Sequence, residues 1–274
     1  MNRLEPSGQY AFGVTKLGDE IYVLCRRPNS LRVFEDGNLF LLRKELVINQ
    51  IQDPWDIASN HALKNILFVS DRHDNCLWRV SIDPPRVTKC MSSMGDPFTL
   101  SVSSDGSLLM PRWGQPCCRL DIYSSDGVLI RTIPLSTEIQ RPLHAVKKPS
   151  GEFIVTHSLQ NGKVVVSEMN GGGHVTRQFQ PKDQLQELNE PCHLALDVEN
   201  QRLYVADWKN GRVILLDCSS LGWSQVVMRK DGNTIQQPWR LCYDDRRRQL
   251  IVGWDGLPLK VGVYAVNSVS ETKT

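Results

Sequence analysis

Apolar positions along this chain come in short runs separated by turn residues. Tyr22-Val23-Leu24-Cys25, Ile66-Leu67-Phe68-Val69, Val164-Val165-Val166 and Leu203-Tyr204-Val205-Ala206 are typical. β-branched, aromatic and leucine side chains fill them, as in strands. Ser104-Asp105-Gly106, Ser125-Asp126-Gly127, Pro149-Ser150-Gly151, Asn170-Gly171-Gly172-Gly173 and Lys209-Asn210-Gly211 punctuate them as hairpin turns. No long stretch carries a helical period. The best helical candidate is the short connector 183–189.

The runs repeat as a unit. Pro54-Trp55-Asp56-Ile57-Ala58 is followed by Ile66-Leu67-Phe68-Val69-Ser70-Asp71 and by Asn75-Cys76-Leu77-Trp78-Arg79-Val80. Pro191-Cys192-His193-Leu194-Ala195-Leu196-Asp197 is followed by Leu203-Tyr204-Val205-Ala206-Asp207 and by Asn210-Gly211-Arg212-Val213-Ile214-Leu215. The same order recurs from Pro97, Pro142 and Pro238, and a copy without the proline starts at Ala11. Successive prolines lie 43 to 49 residues apart. A four-stranded unit at this period predicts a β-propeller. One such sheet has two apolar faces and buries both only by stacking between neighbours. The 274 residues are thus read as one all-β domain, 1–274. It is a six-bladed β-propeller of four-stranded antiparallel blades, with repeats starting near 11, 54, 97, 142, 191 and 238. The last copy supplies three strands. Either short terminal segment, 1–9 or 267–274, is a candidate for the fourth.

The segment Pro191 to Asp217 closely resembles the NHL repeat, and the copy from Pro54 is a second match. The other copies keep the strand pattern but replace the Asp after the second strand with Cys25, Arg112, His157 or Trp254. The resemblance covers about residues 10 to 266 and implies a six-bladed propeller, similar to the C-terminal domain of tripartite-motif proteins. There such propellers select substrates or RNA for a RING ubiquitin ligase. This sequence contains no RING, B-box or coiled coil, so a ligase role would need additional sequence.

Composition narrows the function. With 32 Lys+Arg against 30 Asp+Glu, the formal net charge is +2. That excludes binding of nucleic acid by bulk charge. No apolar run approaches the roughly 18 to 20 residues of a membrane span, and no secretory leader is apparent. These features predict a cytoplasmic protein without membrane contact. The eight cysteines read as small buried thiols, without disulfides. Their spacings do not make a zinc site.

In a propeller the loop into the first strand and the loop from second to third strand share one end of the ring. Those segments contain Arg26, Arg27, Arg72, Arg112, Trp113, Trp208, Lys209, Arg240 and Trp254. These nine are the predicted partner-binding residues. Trp113, Trp208 and Trp254 are expected to be exposed, whereas Trp55 and Trp239 are expected in the core. Trp and Arg dominate binding hot spots. A second ring, Gly13, Asp56, Thr99, His144, His193 and Arg240, is expected around the channel as a hydrogen-bonded polar lining. Two histidines there could hold a metal. Peptide-amidating lyases with this repeat use Pro-His pairs, but here each histidine comes one residue later. Calcium-dependent lactonases need several channel carboxylates or amides. No nucleophile elbow or phosphate loop is present. Arg246-Arg247-Arg248 is expected as a solvated turn at the opposite end.

The reading is a non-enzymatic module without cofactor or metal. It binds a protein or peptide partner on the loop-bearing face. The alternative is single-stranded RNA, stacked on the same Trp/Arg-rich face. A third reading is a metal-dependent lyase or lactonase.

Overall fold

The computed structural model describes residues 2–4, 10–36, 41–60, 63–92, 99–114, 117–229, 237–255 and 260–266. They form six four-stranded antiparallel sheets arranged as a six-bladed β-propeller. In five blades the strands follow chain order. The innermost strands of the six blades are Tyr10–Leu17, Pro54–Ser59, Ser101–Val102, Gln140–Lys147, Pro191–Asp197 and Gln237–Asp244. Each touches the innermost strand of the next blade, and the sixth touches the first, so the ring is closed. The repeat start at Pro97 lies outside the described residues.

The sixth blade is completed by the N-terminal strand Asn2–Leu4. It pairs antiparallel with Lys260–Ala265, Arg3 opposite Gly262. Of the two segments expected to supply this strand, 267–274 lies outside the described residues. This strand lies at the outer edge of its blade and covers the edge of Lys260–Ala265.

The continuous apolar runs follow from this stacking. Successive residues of a strand point to opposite faces, and both faces of a blade are covered. In the first blade, Tyr22 and Leu24 pack toward the second blade, against Ile57, Leu67 and Val69. Ile21, Val23 and Cys25 pack toward the sixth, against Ile251 and Val261. The fifth blade does the same, with Leu203 and Val205 facing the fourth blade and Tyr204 and Ala206 the sixth. Among the described residues there are six such apolar clusters, one for each seam between blades.

The only helical element among the described residues is the one-turn Gln184–Gln186, inside the expected connector. No helix among them is long and apolar enough to cross a membrane. The six blades carry their second-to-third loops at one end, called here the upper end.

The seam between first and sixth blades also carries charge. Lys16 is buried and pairs with both Asp36 and Asp244. Arg247 donates to the Asp36 carbonyl at 2.7 Å and lies 3.3 Å from Asp19. The Arg246-Arg247-Arg248 turn is therefore not merely solvated, because its central residue ties the last blade to the first.

Candidate functional site

Each second strand carries a buried residue at or next to its end. Cys25, Asp71, Arg112, His157, Asp207 and Trp254 occupy this one repeat position, and all are at most 7% exposed. Asp71 accepts the backbone N–H groups of Gln52, Asp53 and His73, each at 3.0 Å, and the Trp78 indole N–H at 3.2 Å. Asp207 accepts from Asn189 N at 2.7 Å and from Arg212 Nε at 2.6 Å. The repeat's Asp thus clamps the loop leading into the first strand. Arg112 and Trp254 stand in this interior position, which corrects their expected place on the rim. Arg112 lies 3.5 Å from Asp121, and burial lowers its pKa. Trp254 packs in the seam between fifth and sixth blades.

The next positions do reach the upper surface. Arg26, Arg72, Trp113 and Trp208 are half-buried, and Arg27 and Lys209 are exposed. Trp113 donates its indole N–H to the Pro142 carbonyl at 2.9 Å, and the Arg141 guanidinium lies 4.5 Å from its ring centre. Lys209 pairs with Glu190.

Trp55 and Trp239, expected in the core, are instead half-buried at the mouth of the channel. The cause is a bulge in the first strand. Pro54 pairs with Asp71 and Asp56 with Ser70, so the register shifts across Trp55. The same shift falls across Phe12, Cys192 and Trp239 in their blades, and the fourth blade is irregular between Gln140 and His144. A bulge re-aims side chains at the end of a strand, so strict alternation fails at this position. The signal was present as aromatics at equivalent repeat positions, Phe12, Trp55 and Trp239.

The bulged aromatics Phe12, Trp55 and Trp239 form an arc with Trp208 of the fifth blade's second-to-third loop. Phe12 and Trp55 have ring centres 5.7 Å apart, Trp55 and Trp239 6.2 Å, and Trp239 and Trp208 5.7 Å. Such tilted and edge-to-face pairs suit aromatic quadrupoles. Cations lie on the rings. The Arg26 guanidinium is 3.6 Å from the Phe12 centre and 5.1 Å from Trp55, Arg72 is 4.3 Å from Trp55, and Arg240 is 4.8 Å from Trp239. Arg26 also donates to the Pro54 carbonyl and pairs with Asp53, each at 2.6 Å. Burial, aided by Arg72 and Arg240 against the pull of Asp53, brings the Arg26 pKa down to about 10. The arc borders a cavity of about 370 Å³ lined by Trp55, Trp208, Trp239, Arg141, Glu190 and Arg240, among others.

Below it the channel ring is packed shut. Asp56, Thr99, His144, His193 and Arg240 are all buried. Asp56, Thr99, His144 and His193 each stitch to the next blade. Asp56 accepts from Leu100 N at 3.1 Å, His144 Nδ1 from Leu194 N at 3.3 Å, and His193 Nδ1 from Leu241 N at 3.4 Å. Thr99 donates to the Leu143 carbonyl. Arg240, also buried, donates to Asp56 at 3.0 Å and to the Trp55 and Trp239 carbonyls, each at 3.2 Å. The polar lining expected for this ring is what the structure contains, and it places Arg240 inside the channel, not on the outer rim. A second cavity of about 230 Å³, lined by His144 and His193, lies on the other side.

Asp56, His144 and His193 offer ligand atoms within 4.8 Å of one another. Their surroundings oppose a cation. Both Nδ1 atoms accept backbone N–H bonds, so in neutral rings the proton sits on Nε2, where a metal would need a lone pair. Arg240 already neutralises Asp56. The site's donor pattern is that of an internal network.

No family model matches the chain, and no curated protein sequence matches it. Solved structures share its fold. Kuenenia stuttgartiensis hydrazine synthase is 15% identical with a TM-score of 0.70, covering 96% of this chain and 97% of that one. A chain of a nidogen/laminin complex is 15% identical with a TM-score of 0.60, covering 94% and 92%. The Myceliophteria thermophila Cps50 (Swd1) β-propeller domain is 12% identical with a TM-score of 0.58, covering 93% and 82%. At these identities the likeness shows a shared propeller fold and nothing further.

Proposed function

We propose that this propeller is a non-enzymatic recognition module that seats a protein or peptide partner on its upper face. The observation that carries the reading is the arc Phe12–Trp55–Trp239–Trp208, whose three tryptophans line the 370 Å³ cavity. Partly exposed aromatics gathered at a concave mouth supply the apolar anchors of a binding hot spot. The cations around them are matched by carboxylates: Arg26 by Asp53, Lys209 by Glu190, Arg240 by Asp56. A mixed patch of this kind suits a peptide better than a phosphate backbone, which draws its affinity from unmatched positive charge. The ring faces that would stack bases in the RNA reading are partly covered by Arg26 and Arg72. The tripartite-motif likeness of the repeats would make the module the substrate-selecting part of a larger ligase.

The test is selection of a displayed random-peptide library on the immobilised chain, beside titration with a random single-stranded RNA pool at low salt. We expect enriched peptides whose binding is lost in Trp55→Ala and Trp239→Ala. No enriched peptide, or tight RNA binding that falls steeply with salt, would overturn the reading.

A further inference from the structure

We infer that the mouth cavity is built for a carboxylate carried next to an apolar or aromatic group, so that the partner docks through an acidic segment. This rests on the recognition reading above and names the chemistry of its partner. The walls of the cavity are apolar, from Trp55, Leu143, Trp208 and Trp239. The polar groups among them are mostly donors or already spent. Glu190, the one carboxylate in the lining, is held by Lys209. The Cys192 thiol makes contacts of 3.5 to 3.7 Å with the carbonyls of Ala206, Pro238 and Trp239, and burial pushes its pKa up to about 12, so it stays neutral and inert. The Thr99 hydroxyl donates to Leu143 O.

What remains is donor capacity. The Trp208 indole N–H is buried with no hydrogen-bond partner among the described residues. A buried donor left unpaired costs stability, which a ligand acceptor recovers on binding. Arg240 engages three acceptors of the five its guanidinium can serve. Arg141, exposed at the edge, is braced against Trp113. Its backbone is left-handed, φ 43°, as is that of Glu190, φ 54°, at the equivalent position of the next blade. A non-glycine residue there is uncommon. These two residues of opposite charge flank the cavity; Glu190 pairs with Lys209, whereas Arg141 has no ion pair among the described residues. An anionic group with an apolar neighbour would meet Trp208 and Arg141, with Arg240 at the channel end.

The experiment reads the composition of the selected peptides and their affinity for two variants. Trp208→Phe keeps the ring and deletes the N–H. Arg141→Ala removes an exposed cation outside the core. Near-UV circular dichroism confirms that both keep the native fold. We expect enrichment of Asp or Glu, or of a free C-terminus, beside aromatic or aliphatic residues. Affinity should fall about tenfold in Arg141→Ala and several-fold in Trp208→Phe, the scale of a charged and a neutral hydrogen bond. Resynthesis with a C-terminal amide separates the two carboxylate sources: loss of binding assigns the terminus, and retention assigns a side chain. Peptides enriched without acidic residues or a required C-terminus would overturn this inference while leaving the recognition reading intact. So would wild-type affinity in both variants. No enrichment at all would overturn both.

Discussion

Arg240 Nε meets Asp56 Oδ1 at 3.0 Å, joining the sixth blade to the second across the channel. Both groups are buried. Burial opposes ionisation of Asp56, but Arg240, together with His193 and the Leu100 N–H, outweighs it and holds the carboxyl below the usual carboxylate range. Removing one partner strands the other charge in a dry site. Arg240→Met should therefore destabilise the fold by about 3–5 kcal/mol, measured by urea unfolding. A loss below about 1 kcal/mol, the scale of a surface pair, would show that the channel is wet.

The same plug predicts a pH dependence. Burial lowers the pKa of His144 well below the ordinary 6.5, with His193 and Arg240 adding to the effect, and lowers that of His193 against the pull of Asp56. The unfolded chain protonates these rings as pH falls below 6.5, while the folded chain resists. Stability thus rises with pH through this window and is lost on acidification. Melting temperature should drop between pH 7 and 5. His144→Gln, which keeps an acceptor for Leu194 N and does not titrate, should flatten the drop. An unchanged slope would disprove the role of His144.

The sixth-to-first seam is held by a charge arrangement that could not be read from the sequence. Lys16 lies between Asp36 and Asp244, whose positions in the chain are far apart. Lys16→Met leaves two buried carboxylates together, and should cost about 3–5 kcal/mol. The double replacement Lys16→Met with Asp244→Asn should recover part of the loss. A purely additive double mutant in a denaturation cycle would count against coupling.

Tryptophans separate scaffold from contact surface. Trp254 is buried in a seam, so Trp254→Ala should cost about 3–5 kcal/mol in stability. Trp55 and Trp239 are half-buried at the mouth, and their replacement by Ala should spare more of the stability but weaken a selected peptide by about 2 kcal/mol or more. Calorimetric unfolding and binding titrations would reveal the inverse pattern if the assignment is mistaken.

The fold was legible because period and strand composition are properties of the chain itself. The 43-to-49-residue spacing divides the chain into six blades without reference to any contact. The polar ring Asp56, His144, His193, Arg240 was legible too, since the repeat position carries over from blade to blade. The rim was only partly so. Arg112 and Trp254 look like surface residues in isolation, but the end of each second strand is interior, as Asp71 and Asp207 reveal by clamping the preceding loop. Trp55 and Trp239 look like core residues for the opposite reason. Alternation within a strand cannot register a bulge, and the bulge is what turns them to the mouth. Aromatics recurring at one repeat position were the usable signal.

The channel triad also bears on enzymatic alternatives. Asp56, His144 and His193 come close enough to suggest a lyase-like metal centre, yet each Nδ1 is engaged as an acceptor across a seam. A divalent ion on the Nε2 atoms would require the rings to switch tautomer, break both backbone bonds and compete with Arg240 for the carboxylate. Added zinc or calcium should therefore neither bind stoichiometrically nor raise the melting temperature, as it must when a ligand favours the folded state. Elemental analysis of the purified chain and a thermal shift with each ion test this together. One equivalent of either metal with a raised melting temperature would return the channel to the list of catalytic candidates, and would require Arg240 to have swung away from Asp56.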